Sequence, residues 1–200
     1  MKYVIFGSGG FAKEVIDDVE SDGNKIIGVV STKEFDNEKY NNLYKIYSSF
    51  NEILDYEAKF LLAVSDSNLK RKLVSINPDM WDSFIHSSAH VSKMAQIGKG
   101  TIICHHAAVN GDAVVGEFVT LNNYTLIAHD CKVGDYSTFS PYSGIMGHCS
   151  VGQDTFFGTA AYSIPNVQLG DKIKVSAGSM VRHSYNFECV LRGNPAKPRD

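Results

Sequence analysis

Five aliphatic–glycine pairs stand eighteen residues apart in this chain: Ile97-Gly98, Val115-Gly116, Val133-Gly134, Val151-Gly152 and Leu169-Gly170. A shorter period runs inside that spacing. Every sixth residue from Val91 to Val181 is sizeable and apolar, with Ser163 the one exception. Four places after each, the side chain is usually small, as at Ala95, Thr101, Ala107, Ala113, Cys131, Ser137 and Cys149. No α-helix keeps one face at period six, because 3.6 residues per turn does not divide it. Six-residue units taken in threes describe a triangular coil, with one short strand per face and a turn at each corner. Residue n then lies one strand spacing, about 4.8 Å, from n−18 and n+18. The reading is a parallel β-helix over residues 87–185. The aliphatic residues stack inside it, and the glycines of the pairs mark corners where the backbone needs freedom.

Residues 1–86 lack the six-residue period. Their pattern predicts a strand at 2–6, a glycine turn, a helix at 10–21 and a strand at 26–30. A variable stretch follows at 31–57, then a strand at 59–64 and a helix at 67–76. Strands alternating with helices imply a small Rossmann-like α/β unit with a parallel sheet. The turn Gly7-Ser8-Gly9-Gly10-Phe11-Ala12 fits G-x-G-x-x-A between a strand and a helix. Its backbone amides and helix start suit a phosphate. A nicotinamide site also wants an acid at the end of the second strand. That place reads Val29-Val30-Ser31-Thr32, so a nucleotide-sugar diphosphate fits better. Residues 186–200 read as a cap or tail, since Arg192-Gly193-Asn194-Pro195-Ala196-Lys197-Pro198 can continue neither the hexad nor a helix.

A net charge of −3 gives no electrostatic case for nucleic acid or an anionic membrane. No apolar run reaches the length of a spanning helix, and the apolar start is too short for a signal peptide. The four cysteines show no metal spacing. Cys131 and Cys149, eighteen apart, read as reduced inward residues of a cytoplasmic protein.

One corner of the coil carries chemistry: Ile127-Ala128-His129-Asp130-Cys131. Stepping by eighteen places Gly111 below His129, and Gly147 and then Pro165 above it. Asp112 lies below Asp130, and His148 and then Asn166 lie above it. Glycines beside a histidine clear bulk, and a neighbouring carboxylate can orient the ring and stabilise its imidazolium. His148 is a candidate ligand contact. His105 and His106 occupy the equivalent positions of another corner and read as surface or subunit-contact residues. No metal site is expected.

The glycine turn, the coil, the stretch from Ile127 to Tyr136 and the closing Gly193-Asn194-Pro195-Ala196-Lys197 together resemble one family over nearly the whole chain. It is the hexapeptide-repeat sugar acyltransferases, of the sialic-acid O-acetyltransferase and the bacillosamine and perosamine N-acetyltransferase type. The resemblance implies a left-handed β-helix, a homotrimer with inter-subunit active sites between adjacent coils, acetyl-CoA as donor and a nucleotide-sugar acceptor. His129 then matches the general base and Asp130 its neighbouring acid. Gly147, Thr159, Ala177 and Gly178 match the coenzyme A groove. Gly7, Ser8, Gly9 and Gly10 match the sugar-nucleotide turn, with Ser31 and His148 as further acceptor contacts. The chain departs from some members at Val30-Ser31, where they carry acids, and at Thr138, where they carry histidine. Three activities follow as expectations. The first is acetyl transfer to the amine of a nucleotide-linked amino sugar; the second is sugar O-acetylation; the third is non-catalytic binding of a sugar nucleotide as a scaffold.

Overall fold

The computed structural model describes residues 1–31, 33, 35, 38–53 and 57–199. Thr32, at the end of the expected second strand, lies outside them. The chain divides into two compact units, Met1–Asp82 and Ser83–Asp200. The division falls ahead of the expected residue 86 because Phe84 and Ile85 already pair, as a coil rung, with Ile102 and Ile103.

The first unit comprises β1 (Lys2–Phe6), α1 (Gly10–Ser21), β2 (Lys25–Val30), α2 (Glu38–Leu43), β3 (Ile46–Tyr47), β4 (Lys59–Leu62) and α3 (Ser67–Ile76). The strands form a parallel sheet in the order β3-β2-β1-β4. Helix α1 buries Ala12, Val15, Ile16 and Val19, one stripe at helical spacing. Helix α3 opens on Asp66, whose carboxylate accepts from the Leu69 amide at 2.7 Å. Helix α1 opens on Gly9 with no side-chain cap, leaving its first amides to other partners. The elements α2 and β3 fall in the stretch that the sequence leaves without structure. Gly28 makes β3 possible, because a Cβ there would stand 2.5 Å from the Tyr47 ring.

The second unit is a left-handed parallel β-helix of three faces. The first face stacks Ile103, Leu121, Phe139, Phe157 and Val175. The second stacks Val91, Val109, Ile127, Ile145, Ser163 and Val181. The third stacks Ile97, Val115, Val133, Val151 and Leu169. From Ile103 to Val181 these ladder residues are all buried. The small residues between faces are buried too and tie successive coils together. Thr101 donates to the Gly116 carbonyl at 2.9 Å, and Ser137 to that of Gly152 at 3.0 Å. Ser163, the polar exception, is satisfied: its oxygen accepts from the Met146 amide at 3.2 Å and lies 3.2 Å from the Cys149 sulfur.

The corners differ from expectation. Every sixth residue from Gly100 to Gly178 has φ between +54° and +68°, and the twelve between those two glycines all carry side chains. This left-handed residue sits three places after the ladder residue. The pair glycines Gly98, Gly116, Gly134, Gly152 and Gly170 do not adopt it. Their reason is close approach: a Cβ on Gly98 would stand 2.4 Å from the Gly116 carbonyl carbon, and one on Gly134 2.5 Å from that of Gly152. A left-handed non-glycine residue costs roughly 1–2 kcal/mol. The coil offsets this with inter-coil bonds, such as Asp130 N–H to the Gly111 carbonyl at 3.0 Å.

Phe118 holds one of these left-handed corners, yet it is 2% exposed within the single chain and stacks on Tyr136. The C-terminal segment pairs onto the last coil. Residues Val190–Arg192 pair with Lys174–Val175, and Lys197–Arg199 turns back antiparallel, burying Leu191 and Ala196 at the end of the core.

Candidate functional site

The corner between the second and third faces gathers His129, Asp130 and His148. Asp130 and His148 hold successive left-handed positions, one coil apart, so both project outward from backbone pinned by the coil below. His129 Nδ1 lies 2.8 Å from Asp130 Oδ2, and His148 Nδ1 lies 3.9 Å from the same oxygen. The two imidazoles meet edge to face at 5.1 Å. An ionised carboxylate only accepts, so the His129 proton sits on Nδ1 and Nε2 keeps its lone pair.

The face of the ring lies over Gly147, close to its Cε1–Nε2 bond. A Cβ on Gly147 would stand 2.6 Å from His129 Nε2 and from Cε1. The two flanking glycines therefore play different parts. Gly147 lets the imidazole lie flat against bare backbone, whereas a Cβ on Gly111 would find its nearest neighbour, Ser92 Oγ, at 3.8 Å. Among the described residues no cysteine is exposed at this corner, since Cys131 and Cys149 are buried in the core. His129, Asp130 and His148 offer donor atoms of metal-ligand types within 4.8 Å of one another.

Of the expected coenzyme residues, Gly147 shares this corner. Thr159, Ala177 and Gly178 lie at the corner between the first and second faces, exposed, with the Gly178 amide donating to the Thr159 carbonyl at 2.8 Å. The two groups flank the second face rather than meeting at one point. His105 and His106 lie on that other corner, where His106 packs against Tyr124.

In the first unit the glycine turn follows β1. Gly7 has φ +129°, and a Cβ there would stand 2.5 Å from the Ala63 carbonyl oxygen, so only glycine fits. Gly9 and Gly10 are exposed with open space around them, so packing does not require glycine at either. Ser8 and Ser31 hydroxyls bond at 2.8 Å across the ends of β1 and β2. Beside them opens a cavity of about 170 Å³ with Gly7, Ser31 and Ser48 on its polar side and Phe6, Val64 and Leu73 on its apolar side. A larger cavity of about 520 Å³, lined by Phe60, Pro78, Met80 and Asp82, includes none of the turn.

Residues 2–76 match the PglD N-terminal domain family. No curated protein matches the chain by sequence. Among solved structures, PerB from Caulobacter crescentus, in complex with CoA and GDP-perosamine, is 26% identical with a TM-score of 0.87, covering 100% of this chain and 98% of PerB. Two others share the fold. The acetyltransferase domain of PglB from Neisseria gonorrhoeae, in complex with acetyl coenzyme A, is 23% identical with a TM-score of 0.89, covering 99% of this chain and 98% of that one. WeeI from Acinetobacter baumannii is 22% identical with a TM-score of 0.86, with 100% of both chains covered. The coil and the whole-chain likeness to PerB together support an acyltransferase. Over its whole length the chain is similar to PerB, and over residues 2–76 it matches the PglD N-terminal domain family.

Proposed function

We propose that the protein moves an acetyl group from acetyl-CoA to the amine of a nucleotide-linked amino sugar, with His129 as general base. One observation carries the reading. Asp130 anchors His129 through Nδ1, which leaves Nε2 free on an exposed ring whose face packs on the bare backbone of Gly147. An amine entering there attacks the thioester carbonyl. The new C–N bond forms, the C–S bond breaks, and the amine proton passes to Nε2 and on to the departing thiolate. Asp130 stabilises the imidazolium that forms in between. Acetyl-CoA approaches by Gly147 and extends across the second face toward Thr159, Ala177 and Gly178. The turn Gly7–Gly10 holds the diphosphate of the acceptor, with Ser31 toward its nucleoside.

The 26% identity to PerB, whose complex holds CoA and GDP-perosamine, supports both substrates. A homotrimer with inter-subunit active sites, in the cytoplasm, completes the reading; no helix among the described residues is long and apolar enough to cross a membrane. The test is a panel of nucleotide-linked amino sugars incubated with acetyl-CoA and read by mass gain of one acetyl group. Gain on at least one amino sugar, and none on its hydroxyl counterpart, is expected. Gain on hydroxyl sugars alone would replace the amine as acceptor.

A further inference from the structure

We infer that the corner of His129, Asp130 and His148 binds zinc or a similar divalent transition-metal ion, and that filling it switches the base off. The switching half rests on His129 being the base; the binding half does not. Two imidazoles and a carboxylate are a ligand set that zinc accepts, with a fourth position left to water. Around zinc, with bonds of about 2.0–2.2 Å, tetrahedral ligand atoms stand about 3.4 Å apart. The donor atoms here lie within 4.8 Å of one another, with Asp130 Oδ2 at 2.8 Å from His129 Nδ1 and 3.9 Å from His148 Nδ1. All three side chains are exposed, so small side-chain rotations bring them to that spacing. Their backbone needs no movement, because the coil fixes it: His148 N–H donates to the His129 carbonyl at 3.1 Å. The coil's other histidine cluster makes a useful contrast. His86, His105 and His106 pack ring to ring, but among the described residues no carboxylate joins them in a ligand group, and His86 Nδ1 lies 2.8 Å from the Ser88 hydroxyl.

Inhibition follows from where the proton sits. In the free protein His129 carries hydrogen on Nδ1 and offers a lone pair at Nε2. An ion on Nδ1 displaces that hydrogen, so the neutral ring must carry its hydrogen on Nε2. Nε2 then donates where it has to accept, and Asp130 is drawn away to the metal. The fold is untouched, and removing the metal restores the lone pair.

The experiment uses the full chain, stripped of metal, with free Zn²⁺ set by a chelating buffer. Binding is read by competition with a zinc indicator, without substrates. One ion per chain is expected, with affinity at least about tenfold weaker in His148→Ala and in Asp130→Asn, at unchanged melting temperature. Acetylated product, read by mass, should fall as wild-type sites fill and return on chelation. Cobalt substitution should show no thiolate charge-transfer band, since the buried cysteines are not ligands. Unchanged affinity in both variants, or a thiolate band, would overturn the site. Full occupancy without loss of turnover would overturn the switch. Metal-free protein that acetylates no acceptor would count against the proposed function and leave the binding result standing.

Discussion

In the first unit a single glycine, Gly7, carries the unusual turn on which the candidate phosphate cradle depends. In the coil every sixth residue is left-handed, and the twelve between Gly100 and Gly178 have side chains. The contrast sets what each region can present. A glycine turn at a helix start exposes backbone amides, which suit an anion. A repeated corner displays columns of side chains at fixed spacing, so an imidazole, a carboxylate and a second imidazole line up without any special loop. Under this reading the coil governs the chemical step, and the first unit governs acceptor binding.

The largest expected effect tests the coil's half of that division. His129→Ala should lower kcat by about 10²–10⁴-fold, the usual contribution of a general base, with little change in melting temperature because the side chain is exposed. Near-normal kcat would remove the base from this corner. Gly147→Ala comes next. Its methyl would stand 2.6 Å from His129 Nε2, and the exposed ring can swing away at little cost in stability. The displaced nitrogen should then cost about 10²-fold in kcat, as expected for misplacement by roughly 1 Å. Parallel losses of stability and activity would mean that Gly147 serves packing alone.

The two regions were also unequally legible in the sequence. Helices α1 and α3 and strand β1 match their predicted spans, because their hydrophobic stripes and turn residues are strong local signals. Strand β3 gave no such signal, being two residues long and dependent on Gly28 for room. In the coil the period of six was plain, yet the left-handed position was not. It tolerates Phe118, Tyr124, Ala160 and Lys172 alike, so composition cannot mark it. The regular glycines answer to a different demand, the close approach between coils. At the site, the neighbours His129, Asp130 and His148 could be read by adding eighteen. Which nitrogen faces Asp130, and how tightly Gly147 lies against the ring, depends on side-chain rotation, which no spacing encodes.

The next effect belongs to the first unit. Gly9 precedes α1, and a Cβ added there would meet nothing within 4 Å, so Gly9→Asp should fold. An aspartate there is a good helix cap and should add a few tenths of a kcal/mol. It also sets a negative charge where the diphosphate is proposed to bind. The acceptor KM should rise about tenfold, equivalent to about 1.4 kcal/mol, while the KM for acetyl-CoA stays put. Stability and acceptor binding thus move in opposite directions. An unchanged acceptor KM would make the turn purely structural.

The smallest effect separates the units by stability rather than by activity. Lys70, in α3, is 2% exposed, and burial pulls its ammonium down to about 8. Its unfolded value is near 10.4, so between those two pH values the unfolded chain holds a proton that the folded one has released. Folding therefore becomes more favourable as pH rises through 8. From pH 7 to pH 9 the gain should be about 1 kcal/mol. Trp81 is the chain's single tryptophan, and it lies in the first unit, buried and edge-on to Phe6 at 4.8 Å. Its fluorescence follows the unfolding of that unit, and its midpoint should rise by a few degrees over this interval. Lys70→Met should flatten the pH slope, whatever it does to the midpoint itself, because the slope alone reports the buried proton. An equal slope in the variant would assign the pH dependence to another group and leave the Lys70 ammonium charged inside the fold.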